Sequence, residues 1–179
     1  MLNITIREEK PTDVEEIREL TAKAFADKDY SNQTEHFVID ALRAAGVLSI
    51  SLVALLDDQI VGHNAFSPIE ISDGTKNWYA MGPLSVLPQY QRLGIGGMLI
   101  REGLAKLKAL NAGGCYLVGD SRYYPRFGFE NVEGLYCEGA SAEVSFALSF
   151  TGTMPQGKVS YHPAFFVSGP MHEQTDQKF

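Results

Sequence analysis

The stretch that most restricts this chain is "PLSVLPQYQRLGIGGMLI", Pro83–Ile100. A short strand pattern ends in a polar bend, and an amphipathic helix pattern then opens on Gly94, Gly96 and Gly97. Among helix residues only proline is worse than glycine, which costs up to about 1 kcal/mol relative to alanine. A helix start leaves its first backbone N–H groups without internal partners and carries a partial positive charge from the aligned peptide dipoles. Removing side chains there lets an anion such as phosphate reach the amides. The competing reading is that these glycines only permit a tight turn and close helix–sheet packing. A strand, a bend, three glycines and a helix in that order favour the anion.

The spacing excludes two common phosphate loops. A P-loop needs Lys followed by Ser or Thr after its glycines, and none follows here. The dinucleotide fingerprint needs a third glycine where Leu99 stands, and Pro88–Arg92 separates the strand from the glycines. Asp120 alone would imitate its ribose-binding acid, so a nicotinamide-dependent oxidoreductase ranks below the other readings.

The rest of the composition narrows the class. The chain has 179 residues, suits one domain, and is 45% hydrophobic, enough for a packed core. A net charge of −7 argues against a nucleic-acid partner. Cys115 and Cys137 have no metal or redox spacing and read as reduced, half-buried thiols, with no metal site expected. The N-terminus lacks a signal-peptide pattern, and Val47–Leu56 is about half a membrane span, so a cytoplasmic protein without a membrane partner is expected.

The hydrophobic pattern predicts one mixed α/β domain over residues 1–167, with a motif-bearing core over about 2–130, a β-rich section over 131–167 and a polar tail over 168–179. It begins with a strand at Ile4–Arg7, a helix capped by Thr12 or Asp13, a polar loop at Asp27–Gln33 and a helix at Thr34–Gly46. Two long strands turn at Asp57, Asp58 and Gln59, and a third covers Asn77–Leu87. The helix Gly94–Leu110 buries Ile100, Gly103, Leu104, Leu107 and Leu110 and pairs Glu102 with Lys106. Gly113–Asp120 reads as a buried strand parallel to the third, reached by a right-handed crossover. Ala142–Phe150 and Gly157–Val167 read as further strands.

"VLPQYQRLGIGGMLI" resembles motif A of the GNAT superfamily of acyl-CoA-dependent N-acetyltransferases, Gln/Arg-x-x-Gly-x-Gly/Ala, met here by Gln91, Gly94 and Gly96. "YYPRFGF", Tyr123–Phe129, resembles motif B, Tyr-x-x-x-Gly-Phe, with Tyr124 and Gly128 at its key positions. The form of motif B and the β-rich C-terminus resemble the YhbS-like branch. One departure is that Asp120–Tyr124 is short and Pro125 interrupts the helix that most relatives carry there. The resemblance implies a GNAT-type fold and an acetyl-CoA-dependent N-acetyltransferase acting on a primary amine of a small molecule or peptide. It implies that the amides of Gln91, Arg92, Leu93, Gly94, Ile95, Gly96 and Gly97 hold the coenzyme A diphosphate. The Leu84, Ser85 and Val86 backbone would then pair with the pantetheine arm, in a gap opened by Gly82 and Pro83. Tyr124 would be the acid that meets the leaving thiolate. The base stays open among Glu35, His36, His63 and Glu70; Arg126 would meet a phosphate or pair with Glu130; His162 and His172 read as bystanders. A non-catalytic acyl-CoA sensor is the main alternative. A monomer or homodimer is expected.

Overall fold

The computed structural model describes residues 2–170. Strand β1 is Ile4–Glu8, helix α1 Val14–Phe25, helix α2 Glu35–Ala44, β2 Ile50–Leu56, β3 Gln59–Ile71 and β4 Trp78–Val86. Helix α3 is Ile95–Ala109, followed by β5 Gly114–Val118, β6 Leu135–Cys137, β7 Ser145–Ser149 and β8 Gly157–Tyr161. The sheet order is β1-β2-β3-β4-β5-β7, with β8 on the far end of β3 and β6 beside β8. All pairs are antiparallel except β4–β5 and β6–β8. This is the expected mixed α/β sheet, with the meander and the crossover in their expected places.

Local chemistry accounts for the connections. The β2–β3 turn puts Asp57 and Asp58 at φ 49° and 64°, a left-handed pair that matches the strand twist. Asp13 turns its carboxylate back to Arg7 and to the Lys10 N–H at 2.6 Å, so it braces the chain before α1 instead of capping the helix amides. Helix α3 lies on β3 because glycines on both elements permit it. A Cβ on Gly103 would overlap the Phe66 ring, and one on Gly62 would lie 3.0 Å from Leu99. That approach buries Ile95, Leu99, Ile100, Leu104 and Leu107, each worth about 1.5–3 kcal/mol when fully covered.

Several details differ from expectation. Leu110 is outside the stripe and 55% exposed, because the helix ends at Ala109. Lys106 reaches across to Glu8 at 3.2 Å instead of pairing with Glu102. Cys115 is fully buried and only Cys137 is half-buried. The strand expected over Gly157–Val167 stops at Tyr161, where Pro163 offers no N–H and the His162 ring accepts the Ala164 N–H at 3.1 Å. His162 is therefore a turn cap, and His172 lies outside the described residues. Ala142–Val144 forms a 3-10 turn before β7 begins.

Candidate active site

The sheet opens at one place. β4 pairs with β5 only from Trp78 to Ala80, against Gly114–Tyr116. Beyond that, Leu117 and Val118 of β5 pair with β7 alone. On the other side of β4 the register to β3 slips, Asn64 facing Leu84 and Phe66 facing Met81. The extra residue falls at Gly82 and Pro83, as the sequence indicated; Gly82 takes φ 130° and its bond to Pro83 is cis. A bulge bends its strand and raises the local twist, so the second half of β4 leaves β5 and a wedge opens between them.

The ladder also tells which backbone groups enter that wedge. The Leu87 N–H donates to the Val61 carbonyl at 2.9 Å. Antiparallel pairs alternate between bonded and non-bonded. Ser85, opposite His63, therefore spends its backbone groups on β3, while Leu84 and Val86 point theirs away from β3, toward the wedge. Of the expected trio, Leu84 and Val86 face the opening and Ser85 supports it. The Ser85 hydroxyl lies on the α1 side, 3.4 Å from Thr21.

At the mouth stands the glycine turn. Gly94 sits at φ 87° and Arg92 at 64°, left-handed positions that reverse the chain into α3. The first helical bond runs from Met98 N–H to the Gly94 carbonyl at 3.1 Å, and no side chain caps the helix. The amides of Ile95, Gly96 and Gly97 precede that bond and are the unpaired donors of the helix start. Gly94 is exposed and has no atom within 4 Å of where a Cβ would stand. Gly97, in contrast, is covered. Arg92 and Leu93 are exposed beside them, whereas the Ile95 side chain is 1% exposed and anchors the turn in the core. Gln91 enters differently from expectation: its N–H already donates to Pro88 at 3.3 Å. Its side chain donates to the Val86 carbonyl at 3.0 Å, tying the turn to the end of β4.

Tyr124 starts a 3-10 turn, Tyr124–Phe127, after β5. Its ring meets Phe129 and Phe146 at centroid distances of 6.2 and 6.4 Å, and Gly119 leaves space for it that a side chain would fill. Burial, then the nearby Tyr123, Tyr30 and Asp120, push its hydroxyl far above the usual tyrosine range, so it stays protonated. Among the described residues Arg126 contacts neither Glu130 nor another carboxylate; it donates to the Tyr123 and Arg122 carbonyls at 2.9 and 3.2 Å.

The four candidate bases separate. His63 is fully buried on β3; burial first, with Arg43 adding, pushes it down to about 4 against the pull of Glu9, so it is neutral near pH 7. Its Nε2 lies 2.7 Å from Ser51 Oγ, whose proton goes to Glu9. Glu70 is exposed, away from the bulge. His36, half-buried beside Phe37, is lowered mainly by burial. Glu35 has one carboxylate oxygen held by Ser31 at 2.5 Å and a second, buried, without a partner. Its charge and that of Asp120 both act on Tyr30, the neighbour of Tyr124. No spacing rule marks Glu35; its free oxygen is a product of tertiary burial. Among the described residues no cluster of His, Cys, Asp and Glu fits a metal, and no helix is long and apolar enough to cross a membrane.

A sheet splayed beside an uncapped, glycine-built helix start defines a class: the chain belongs to the acetyltransferase (GNAT) family, whose model matches residues 13–129. It is similar to an uncharacterized N-acetyltransferase of Escherichia coli (strain K12), YhbS, at 31% identity over 89% of this chain and 97% of that protein. The structure of Escherichia coli YhbS in complex with CoA matches with a TM-score of 0.82, at 31% identity over 95% of this chain and 96% of its own. A GNAT family acetyltransferase from Brucella melitensis, solved in complex with acetyl-CoA, has a TM-score of 0.82 and 49% identity over 92% of this chain and 99% of its own.

Proposed function

We propose that this chain transfers an acetyl group from acetyl-CoA to a primary amine of a small molecule or peptide, within a single domain over residues 1–167. The observation that carries the reading is the wedge between β4 and β5 opening beside amides that no protein group caps. The fit to coenzyme A is chemical: unpaired N–H donors and a helix dipole suit a diphosphate, and the Leu84 backbone groups and the Val86 N–H, which β3 leaves unused, suit a pantetheine arm. The two relatives solved with acetyl-CoA or CoA support it.

The bound thioester supplies the acetyl group; the chain orients it. Arg92, Leu93, Gly94, Ile95, Gly96 and Gly97 hold the diphosphate end, with Gln91 fixing the turn. A backbone N–H of Leu84 or Val86 donates to the acetyl oxygen as negative charge develops there. An alkyl amine has a pKa near about 10.4 and arrives protonated, so an acceptor-side group must take its proton. Glu35, with its free buried oxygen, is the group assigned to that task. Tyr124 donates a hydrogen bond to the departing sulfur. Because its pKa lies far above the ordinary thiol value of about 8.5, it stabilises the thiolate without full proton transfer.

Thiol release from acetyl-CoA, measured across a panel of amines, tests the activity. Tyr124→Phe is expected to lower kcat roughly a hundred-fold while coenzyme A binding, followed by calorimetry, stays within two-fold. Binding without turnover on any amine, with Tyr124→Phe indistinguishable from the parent, would leave a sensor instead of an enzyme.

A further inference from the structure

Beside the unpaired amides stands a second wall that neither motif marks. The Tyr123 hydroxyl lies 2.9 Å from the position a Cβ on Gly96 would take, with a Leu84 methyl 3.9 Å from the same point. Gly96 thus faces the space between β4 and the turn after β5. One residue along, the Arg101 guanidinium lies 3.1 Å from the Cβ position of Gly97. Side chains on a helix lean toward its N-terminus, and the missing side chain at Gly97 lets Arg101 fold back over the first turn.

That placement is electrostatically unfavourable as it stands. A helix N-terminus repels cations, yet Arg101 is held there by the Phe127 ring at 5.3 Å. Among the described residues no carboxylate pairs with Arg101, Arg92 or Arg126, although the whole chain carries a net charge of −7. Tyr123 is held from both sides, by Arg126 at 4.9 Å over its ring and by the edge of Phe127 at 5.2 Å. Burial raises its pKa while Arg126 and Arg101 oppose that, so the hydroxyl remains a donor at neutral pH. A hydroxyl donor beside Gly96 and an unpaired guanidinium beside Gly97 flank the unpaired helix start, and an anion there would relieve the repulsion.

We propose that Tyr123 and Arg101 form the second wall of the phosphate site, the Tyr123 hydroxyl donating to a phosphate oxygen of coenzyme A and Arg101 neutralising the charge beside it. This rests on the coenzyme A reading above. It separates the two adjacent tyrosines: Tyr123 holds the phosphate end of the ligand and Tyr124 meets its sulfur.

Calorimetry on the full chain tests it, with coenzyme A, dephospho-coenzyme A and, by competition, pantetheine as probes. Tyr123→Phe keeps the ring and its contacts, and Arg101→Gln changes an exposed side chain. Tyr123→Phe is expected to weaken coenzyme A binding roughly ten-fold, and Arg101→Gln a few-fold at low salt with a shallower salt dependence. Pantetheine, without phosphate, should bind parent and variants alike. Losses that persist with dephospho-coenzyme A identify the diphosphate as the partner; losses confined to coenzyme A identify the ribose phosphate; both support the second wall. Unchanged coenzyme A affinity in both variants, or an equal loss for pantetheine, overturns it. Absence of coenzyme A binding by the parent chain would instead remove the functional reading on which it rests.

Discussion

The two faces of β3 are built on opposite chemistry. Toward α3 the strand presents Gly62 and Phe66, which meet Leu99 and Gly103 in dry contact. Toward α1 and α2 it presents His63, the buried end of a partly buried polar chain. That chain runs from Ser51 to Glu9, to Arg43 at 2.8 Å, and on through Asp40 to Arg18 at 2.7 Å. The apolar face fixes the helix whose first turn holds the candidate anion site. The polar face ties β1 and β2 to α1 and α2, and Glu35 opens α2. The same strand therefore locates both sides of the wedge, one by packing and the other by hydrogen bonds, and the two should fail under different perturbations.

Acid should produce the largest effect, and only on the polar face. His63 has a folded pKa of about 4, below its unfolded value near 6.5. The unfolded chain takes up the proton first, so stability is full above pH 6.5 and falls as pH drops toward 4, by roughly 1 kcal/mol per unit. Burial raises the Glu9 pKa, but the hydrogen bonds from Arg43 and Ser51 together with the Arg43 and His63 charges lower it on balance, so Glu9 adds a further loss below its unfolded value of about 4.3. Urea midpoints against pH, for the parent and His63→Gln, check this. The variant should lose the slope between pH 6.5 and 4, and a variant that keeps it would place the acid sensitivity elsewhere.

Gly103→Ala comes next and acts on the apolar face. Its methyl would overlap the Phe66 ring, so α3 must shift, at a cost of about 2 kcal/mol. Urea unfolding should show the loss at all pH values, leaving the acid slope intact. Gly94→Ala is smaller. Its methyl meets nothing, but φ 87° strains any other residue by about 1 kcal/mol. Coenzyme A affinity should fall a few-fold by calorimetry, and an unchanged value would argue that the turn tolerates a side chain. Lys106→Ala should cost the least, at most several tenths of a kcal/mol, since its pair with Glu8 is largely exposed. Thermal unfolding in low and high salt should barely separate it from the parent.

Much of this was legible before any coordinates. Residues Asn77–Leu110 gave the strand, the bend and the glycine-led helix because each step is local: a propensity, a turn conformation, a periodicity. The bulge was legible through the family resemblance, with Gly82 and Pro83 as the residues that disrupt pairing there. The sorting of Glu35, His36, His63 and Glu70 was not, because it depends on which atoms bury which. Nor was the second wall: Arg101 is an ordinary helix cation in sequence, and Tyr123 is the unremarked neighbour of a motif residue.

By itself the sequence determined the open helix start and the family pattern of Gln91, Gly94 and Tyr124, because backbone conformation and periodicity are set within a few residues. Only the tertiary structure decided that β4 and β5 part beyond Ala80, that His63 is sealed and neutral, and that the Tyr123 hydroxyl and the Arg101 guanidinium come up against Gly96 and Gly97. Those facts depend on burial and on charges brought together from distant parts of the chain, quantities that no short stretch of residues contains.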